Sequence, residues 1–357
     1  MDSMINQSVE STKKSYVIGF ALDVSGSMKS SIGNSQSGEI ARLEGLKDSL
    51  DTLFLEAERL LEINQNTTSE IDIYFFAYAY GLTLPGRAVC DLFQLIESFD
   101  QLNTEKQNQA KLLAEKYKME YERKFQYDKR GLAIELMGAD AYSLLSLSRS
   151  EIEQEIKNRI EQEIKNRIYN ELLEMPRTLT TEELAKKWKK YRESISTSNE
   201  LLGGDTPMKE CLRRVKERFE IEKKNAKNQI LFVISDGEST DGNPVDEARK
   251  MALEGVQIIS CCVSSSNVLA AKTLYNKVSK KMTRGARTMF DISTQVSKNE
   301  PAYNYLIRNG WKISQAMDYF GIFKKDEFKI FAQINHSDLL KEFIKVILEP
   351  IKAEHPI

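Results

Sequence analysis

The sequence predicts an α/β fold: a doubly wound, mostly parallel sheet with helices on both faces, plus a mainly helical insertion. Three observations carry this. Four short apolar runs, "YVIGFAL" (16–22), "IDIYFFAYAY" (71–80), "ILFVIS" (230–235) and "VQIISCCV" (256–263), have the length, β-branching and near-continuous apolarity of buried parallel strands. Helical patterns lie between them, and strands alternating with helices point to a parallel α/β sheet. Residues 101–200 break the alternation: they hold no convincing strand, and Lys, Glu, Gln and Tyr dominate.

Taken in order, Tyr16–Leu22 forms the first strand and stops at Asp23. Residues 39–62 place Ile40, Leu43, Leu46, Leu50, Leu53, Phe54, Leu60 and Leu61 mostly at three- and four-residue steps, the period of an amphipathic helix. The run 71–80 is the second strand, with an edge-strand region near 82–93. Residues 207–223 and 244–254 read as helices, each opening with a proline: Pro207 after Thr206, and Pro244 after Asn243. Proline suits the first helical position, and Thr or Asn the cap. "ARTMFDIS" (286–293) is a fifth candidate strand. Residues 294–335 suggest one or two short helices built on Tyr303, Leu306, Trp311, Ile313, Met317, Phe320 and Phe323. "HSDLLKEFIKVILEPIK" is a closing helix, capped near Ser337 and ended before Pro350.

Inside the insertion, "IEQEIKNR" at 152–159 repeats at once at 160–167. Ile152, Ile156, Ile160, Ile164 and Ile168, then Leu172, fall at four-residue spacing. Four residues turn a helix by about 400°, so the stripe drifts roughly 40° per step. The repeat also sets Glu153 before Lys157, Glu155 before Arg159, Glu161 before Lys165 and Glu163 before Arg167. Each such pair is worth about 0.2–0.5 kcal/mol. The segment therefore reads as a helical arm with a modest packing stripe, and as a surface for partners.

Bulk properties exclude several classes. The chain has 357 residues, 29 % charged and 41 % hydrophobic, with a net charge of −2. That length fits two domains, or one with large insertions. The charge favours neither nucleic acid nor an anionic membrane. The start "MDSMINQSVESTKKS" lacks an apolar signal core, and no run approaches the roughly 20 apolar residues of a membrane helix. A cytoplasmic location is expected. The cysteines, Cys90, Cys211, Cys261 and Cys262, form no C-x-x-C pair, so neither zinc nor a disulfide framework is expected. Of the histidines, His355 is the third residue counted back from the C-terminus. His336 reads as a helix-start residue, so a histidine-based triad has little to stand on.

The chemistry concentrates at strand ends. Asp23, Ser25 and Ser27 follow the first strand, and Asp236 follows "ILFVIS". Thr206 sits in "GGDTPMKECL", just before a helix. In an open α/β sheet, ligands bind beyond the carboxyl ends of the strands, at a topological switch point. Two carboxylates and three hydroxyls are hard oxygen donors, suited to Mg²⁺, with Mn²⁺ or Ca²⁺ as alternatives. Gly26 is expected to let the chain turn so that both serines face the ion.

"DVSGSM" (23–28), "GGDTPM" (203–208) and "ISDGESTDG" (234–242) resemble the three pieces of the metal-ion-dependent adhesion site of von Willebrand factor A (vWA) domains. The resemblance implies a doubly wound, Rossmann-like fold. It implies Ser25 and Ser27 as direct metal ligands, with Asp23, Thr206 and Asp236 binding directly or through water. It also implies an Asp or Glu of a protein partner completing the shell, and an assembly that can include an AAA-type ATPase; no nucleic acid or membrane partner is expected. The resemblance covers about 14–100, 201–293 and 336–350. The domains expected are thus a vWA-like domain from 14–100 and 201–350, with 294–335 a helical elaboration, and a helical insertion at 101–200. The family's threonine usually follows its first motif much sooner than Thr206 does here.

Two rivals remain. One is a scaffold that uses the insertion to oligomerise or bind partners. The other is a Mg²⁺-dependent phosphohydrolase of the haloacid-dehalogenase type. That chemistry needs a second Asp two positions after the first as general acid–base, where this chain has Ser25. No phosphate-binding P-loop or nucleophile elbow occurs either. A non-enzymatic binding module is the leading expectation.

Overall fold

The computed structural model describes residues 14–29, 31–34, 38–41, 51, 71–84, 87–94, 104–137, 149–172, 178–184, 186–187, 204–264, 269–314 and 327–353. The chain forms two compact units. Unit 1 comprises Met1–Thr83, Ala88–Leu92 and Thr178–Ile357; unit 2 comprises Leu84–Arg87 and Phe93–Arg177.

The main sheet of unit 1 is α/β and mostly parallel. Its strands are β1 (Lys14–Asp23), β4 (Ile71–Leu84), β5 (Arg87–Asp91), β6 (Leu179–Thr180), β7 (Asn228–Ser235), β8 (Val256–Val263) and β13 (Phe331–Ile334), in the order β13-β8-β7-β1-β4-β5 with β6 beside β4. The pairs β1–β4, β1–β7, β7–β8 and β8–β13 are parallel, and β4–β6 is antiparallel. All four runs assigned to strands from the sequence are strands here. They lack polar alternation because both faces are buried. Val17, Ala21, Leu231, Val233 and Ile258 share one cluster with Leu212, Val215 and Phe219, Met251, and Met289. Those last residues lie on α4 (Met208–Glu222), α5 (Val245–Leu253) and α6 (Arg284–Ile292). The intervening Ile18, Phe20, Leu22, Phe232 and Ile234 are equally buried, with Phe20 stacked on Phe232.

Several expectations need correction. "ARTMFDIS" is not a strand but most of α6. Thr283 caps it, its hydroxyl accepting from Ala286 N, and Ala286, Met289, Phe290 and Ile292 are buried at helical spacing. Residues 294–335 hold the helix α7 (Pro301–Arg308), but also three-residue strands. These are β10 (Gln295–Ser297), β11 (Lys312–Ser314) and β12 (Glu327–Lys329), in a small sheet with β9 (Thr273–Tyr275). Strands that short leave no periodicity to read. Residues 39–41 belong to β3 (Gly38–Ala41), hairpinned with β2 (Ser31–Asn34), and not to a helix; 42–50 and 52–62 lie outside the described residues. The closing helix, α8 (Ser337–Ala353), runs through Pro350. Burial of Phe343, Ile344, Val346 and Ile347 holds it against the one main-chain hydrogen bond that Pro350 cannot donate. Pro207 and Pro244 occupy the N-cap positions of α4 and α5, one residue ahead of the helices.

Residues 178–184 lie within the stretch set apart at 101–200, yet belong to unit 1. Leu179 is fully buried, and β6 pairs with Tyr74 and Phe75 of β4. Unit 2 contains α1 (Thr104–Tyr127), α2 (Lys129–Met137) and α3 (Arg149–Leu172). Its core is Tyr117, Tyr121, Leu132, Ala133 and Ile156, with Ile152, Ile160 and Ile164 packed against it. The isoleucine stripe is thus a packing face. Glu155 pairs with Arg159 at 3.0 Å as the repeat predicts, whereas Glu153 reaches Lys129 of α2 at 2.6 Å.

Candidate metal centre

β1 ends on Asp23, and β7 ends on Ser235, one residue before Asp236. The two strands are neighbours, with Leu22 opposite Ile234. They are also where the winding reverses: β4 lies on the far side of β1, while β8 and β13 follow beyond β7. Divergent loops at such a reversal leave a crevice beyond the strand ends.

Asp23 is fully buried and both of its oxygens are engaged. Oδ1 accepts from Ser25 N at 2.9 Å, and Oδ2 accepts from the Ser235 hydroxyl at 2.6 Å. Ser235 Oγ in turn accepts from Gly237 N at 2.9 Å. Burial pushes the Asp23 carboxyl up to about 6, against the hydrogen bonds from Ser235 and Ser25, and the nearby Asp236 adds to the rise. Behind Asp23, its β4 neighbour Tyr80 is wholly buried, with no partner in hydrogen-bonding geometry for its hydroxyl. Burial, then the charge of Asp23, holds that phenol well above its usual range, although Ser235 lies close enough to oppose the rise.

Ser25 and Ser27 follow on a 3-10 turn (Gly26–Lys29), with their hydroxyl oxygens 3.1 Å apart. Ser25 is buried and Ser27 exposed. The turn does not draw on glycine freedom at Gly26, as expected from sequence, because Gly26 has no positive φ. The requirement falls on Gly81, at φ +87°, where a Cβ would come within 2.5 Å of Ser25 N. Thr206 is 5 % exposed, and its segment is stitched to the others by main-chain bonds. Gly26 N donates to Gly204 O (3.3 Å), Gly204 N to Gly81 O (2.8 Å), and Thr240 N to Thr206 O (2.9 Å). Asp236 is partly exposed, its Oδ1 accepting from Glu238 N at 3.3 Å. Asp23, Ser25 and Ser27 therefore meet directly, Asp236 lies within electrostatic reach of Asp23, and Thr206 joins through its backbone.

Does this donor set suit a hard cation? Two ligands at right angles, each about 2.1 Å from Mg²⁺, are roughly 3 Å apart. The Ser25–Ser27 spacing of 3.1 Å matches that octahedral edge. Among the described residues no group of three or more His, Cys, Asp or Glu could hold a metal ion, so a cation here must draw on hydroxyls as well as acids. The residues fit such an ion.

Sequence reasoning missed four contributors. Ser235 orients Asp23, Tyr80 backs it, and Gly81 gives Ser25 room. Gly285 packs so closely that its Cβ would lie 2.3 Å from Asp236 O, while a Cβ on Gly237 (φ +88°) would lie 2.2 Å from Gly285 O. Ser235 was adjacent to Asp236 in "ISDG" and could have been suspected; the others become visible only through register and packing.

No family model matches the chain, and no curated protein does either. Among solved structures, the pilus adhesin SpaC of Lactobacillus rhamnosus GG is similar at 10 % identity, covering 96 % of this chain and 31 % of that one, with a TM-score of 0.45. The conserved hypothetical protein BatB of Bacteroides thetaiotaomicron is similar at 12 % identity, covering 94 % and 98 %, with a TM-score of 0.39. The manganese-loaded TRAP protein of Plasmodium vivax is similar at 10 % identity over 70 % of this chain and 57 % of that one, with a TM-score of 0.26. This chain thus spans about a third of the adhesin. At such scores these likenesses carry no argument about the site.

Proposed function

We propose that the chain is a non-enzymatic, divalent-metal-dependent protein-binding module. It captures an Asp or Glu of a protein partner at a Mg²⁺-type site, with Mn²⁺ or Ca²⁺ as substitutes, within a cytoplasmic multi-protein assembly; an AAA-type ATPase is one partner of the right kind. The carrying observation is the rim of hard oxygens at the sheet's switch point, with Ser25 and Ser27 one octahedral edge apart. When bound, the cation supplies a positive centre for an incoming carboxylate. Ser25 and Ser27 hold it directly, with Asp23, Thr206 and Asp236 direct or through water. Asp23 already spends both oxygens on Ser25 N and Ser235, and the serines are neutral, so the ion keeps charge for a partner. Among the described residues no helix is long and apolar enough to cross a membrane.

Titration calorimetry of the full chain with Mg²⁺ tests this. One binding site is expected, lost in Ser25→Ala and in Asp236→Ala while circular dichroism stays unchanged. Equal heats from all three proteins would overturn the reading. A scaffold role draws on one observation: Leu112, Met119, Tyr127 and Ile134 of unit 2 are large apolar side chains left 56–81 % exposed. Self-association that persists in EDTA and is lost on substituting these residues would support that role.

A further inference from the structure

Beside the rim, unit 1 carries a groove that the metal site does not explain. A hollow of about 820 Å³ begins at Gly237 and Glu238 and runs along Arg284, Arg287 and Asp291. A second, of about 490 Å³, continues past Arg249 to Lys329. Both are lined by Asn243, Val245 and Asp291, so they form one channel between α5 and α6. The contact of Gly237 with Gly285 fixes the head of the channel against the loop that carries Asp236.

The charges lining it are unbalanced. Four cations, Arg249, Arg284, Arg287 and Lys329, face two carboxylates, Glu238 and Asp291, in a chain whose net charge is −2. Their pairing is also unusual for this surface. Arg213, Arg214, Lys216 and Lys250, on α4 and α5, each hold a carboxylate. Among the described residues Arg284 and Arg287 hold none, and Arg287 Nε donates only to the Met282 carbonyl. Lys329 donates to the carbonyls of Asp291 and Ser293, and the Asp291 carboxylate is the acid within its electrostatic reach. Arg249 has only Asp246, at 3.6 Å. Cations that outnumber the acids along a channel are arranged for anionic groups that arrive from outside.

We propose that this groove receives an extended acidic segment of a protein partner, its further Asp or Glu side chains pairing with Arg284, Arg287 and Arg249. This rests on the metal-dependent reading: one acid meets the cation, and the flanking acids run down the channel. Glu238 and Asp291 disfavour a uniformly phosphate-bearing strand, so nucleic acid is an outcome of the test and not the proposal.

The test uses fluorescence polarisation of the full chain with a labelled alternating Glu-Gly peptide and its Gln-Gly counterpart, in Mg²⁺ and in EDTA. The wild type is expected to prefer the Glu peptide. The double variant R284Q/R287Q should weaken that binding at least about tenfold, while its Mg²⁺ affinity without peptide and its melting temperature stay unchanged; R284K/R287K should recover most of the loss. No preference for Glu over Gln in the wild type, or equal binding by R284Q/R287Q, would overturn the groove. Binding that survives EDTA but falls in R284Q/R287Q would keep the groove and remove the metal bridge. A single-stranded oligonucleotide that binds more tightly than the Glu peptide, and loses this in R284Q/R287Q, would also overturn the proposal.

Discussion

Asp23 carries the account at the scale of single residues. It is buried, yet among the described residues no basic side chain answers it; the hydroxyl of Ser235 and the amide of Ser25 do. Ser235 therefore orients Asp23, which the proposed function makes a ligand of the cation. Outer-shell partners of this kind are worth about 10–100-fold in metal affinity, so Ser235→Ala should weaken Mg²⁺ binding by that order and leave the stoichiometry at one. An unchanged affinity would remove Ser235 from the site. The raised carboxyl pKa of Asp23, about 6 against 3.8, gives a second expectation. Between those values the metal-free folded protein holds a proton that the unfolded chain has released. Stability of the EDTA-treated protein should therefore fall as pH rises from about 4 to about 6, by roughly 3 kcal/mol in total. Mg²⁺ binding should strengthen over the same window and then level off. Melting curves of the wild type and Asp23→Asn check this: the variant lacks this component, and identical pH profiles for the two would contradict it.

The elements show which features were legible in the sequence. β1, β4, β7 and β8 were, because burial on both faces writes a near-continuous apolar run. The candidate donors Asp23, Ser25, Ser27 and Asp236 stand out in the sequence because they directly follow two of these runs. α6 was misread because "ARTMFDIS" is short and half apolar; only Thr283, one turn upstream, distinguishes it from a strand. The two-residue β6 was invisible for want of length. It matters because Thr178, just ahead of it, donates to Glu222 of α4 at 2.6 Å, and Glu222 also holds Arg218 at 2.6 Å and Asn225 at 2.7 Å. Arg218 and Glu222 are both buried. Glu222→Ala takes the carboxylate from a buried guanidinium and should cost about 3–5 kcal/mol by chemical denaturation. A loss under about 1 kcal/mol, the worth of an exposed pair, would mean that the cluster is solvated.

At the scale of the whole molecule, the chain interrupts one sheet with a helical unit that has its own core of Tyr117, Tyr121, Leu132 and Ile156. A separate core, and the slow growth of loop-closure cost with length, imply that unit 2 can be replaced. Bridging residue 95 to residue 177 with a short Gly/Ser linker should leave a soluble protein that still binds Mg²⁺. Extending the deletion to residue 196 removes the buried Leu179 and Leu184 as well, and should cost a further 3 kcal/mol or more, about the loss expected when buried leucines are removed. Equal stability of the two deletions would place 178–184 outside the sheet's energetics. The central claim is that five oxygen-bearing side chains, Asp23, Ser25, Ser27, Thr206 and Asp236, surround one hard cation. Anomalous diffraction from crystals grown with Mn²⁺ reads this directly. A single peak is expected about 2.0–2.6 Å from both Ser25 Oγ and Ser27 Oγ, bordered by the other three side chains; a peak elsewhere, or none at this rim, would contradict it.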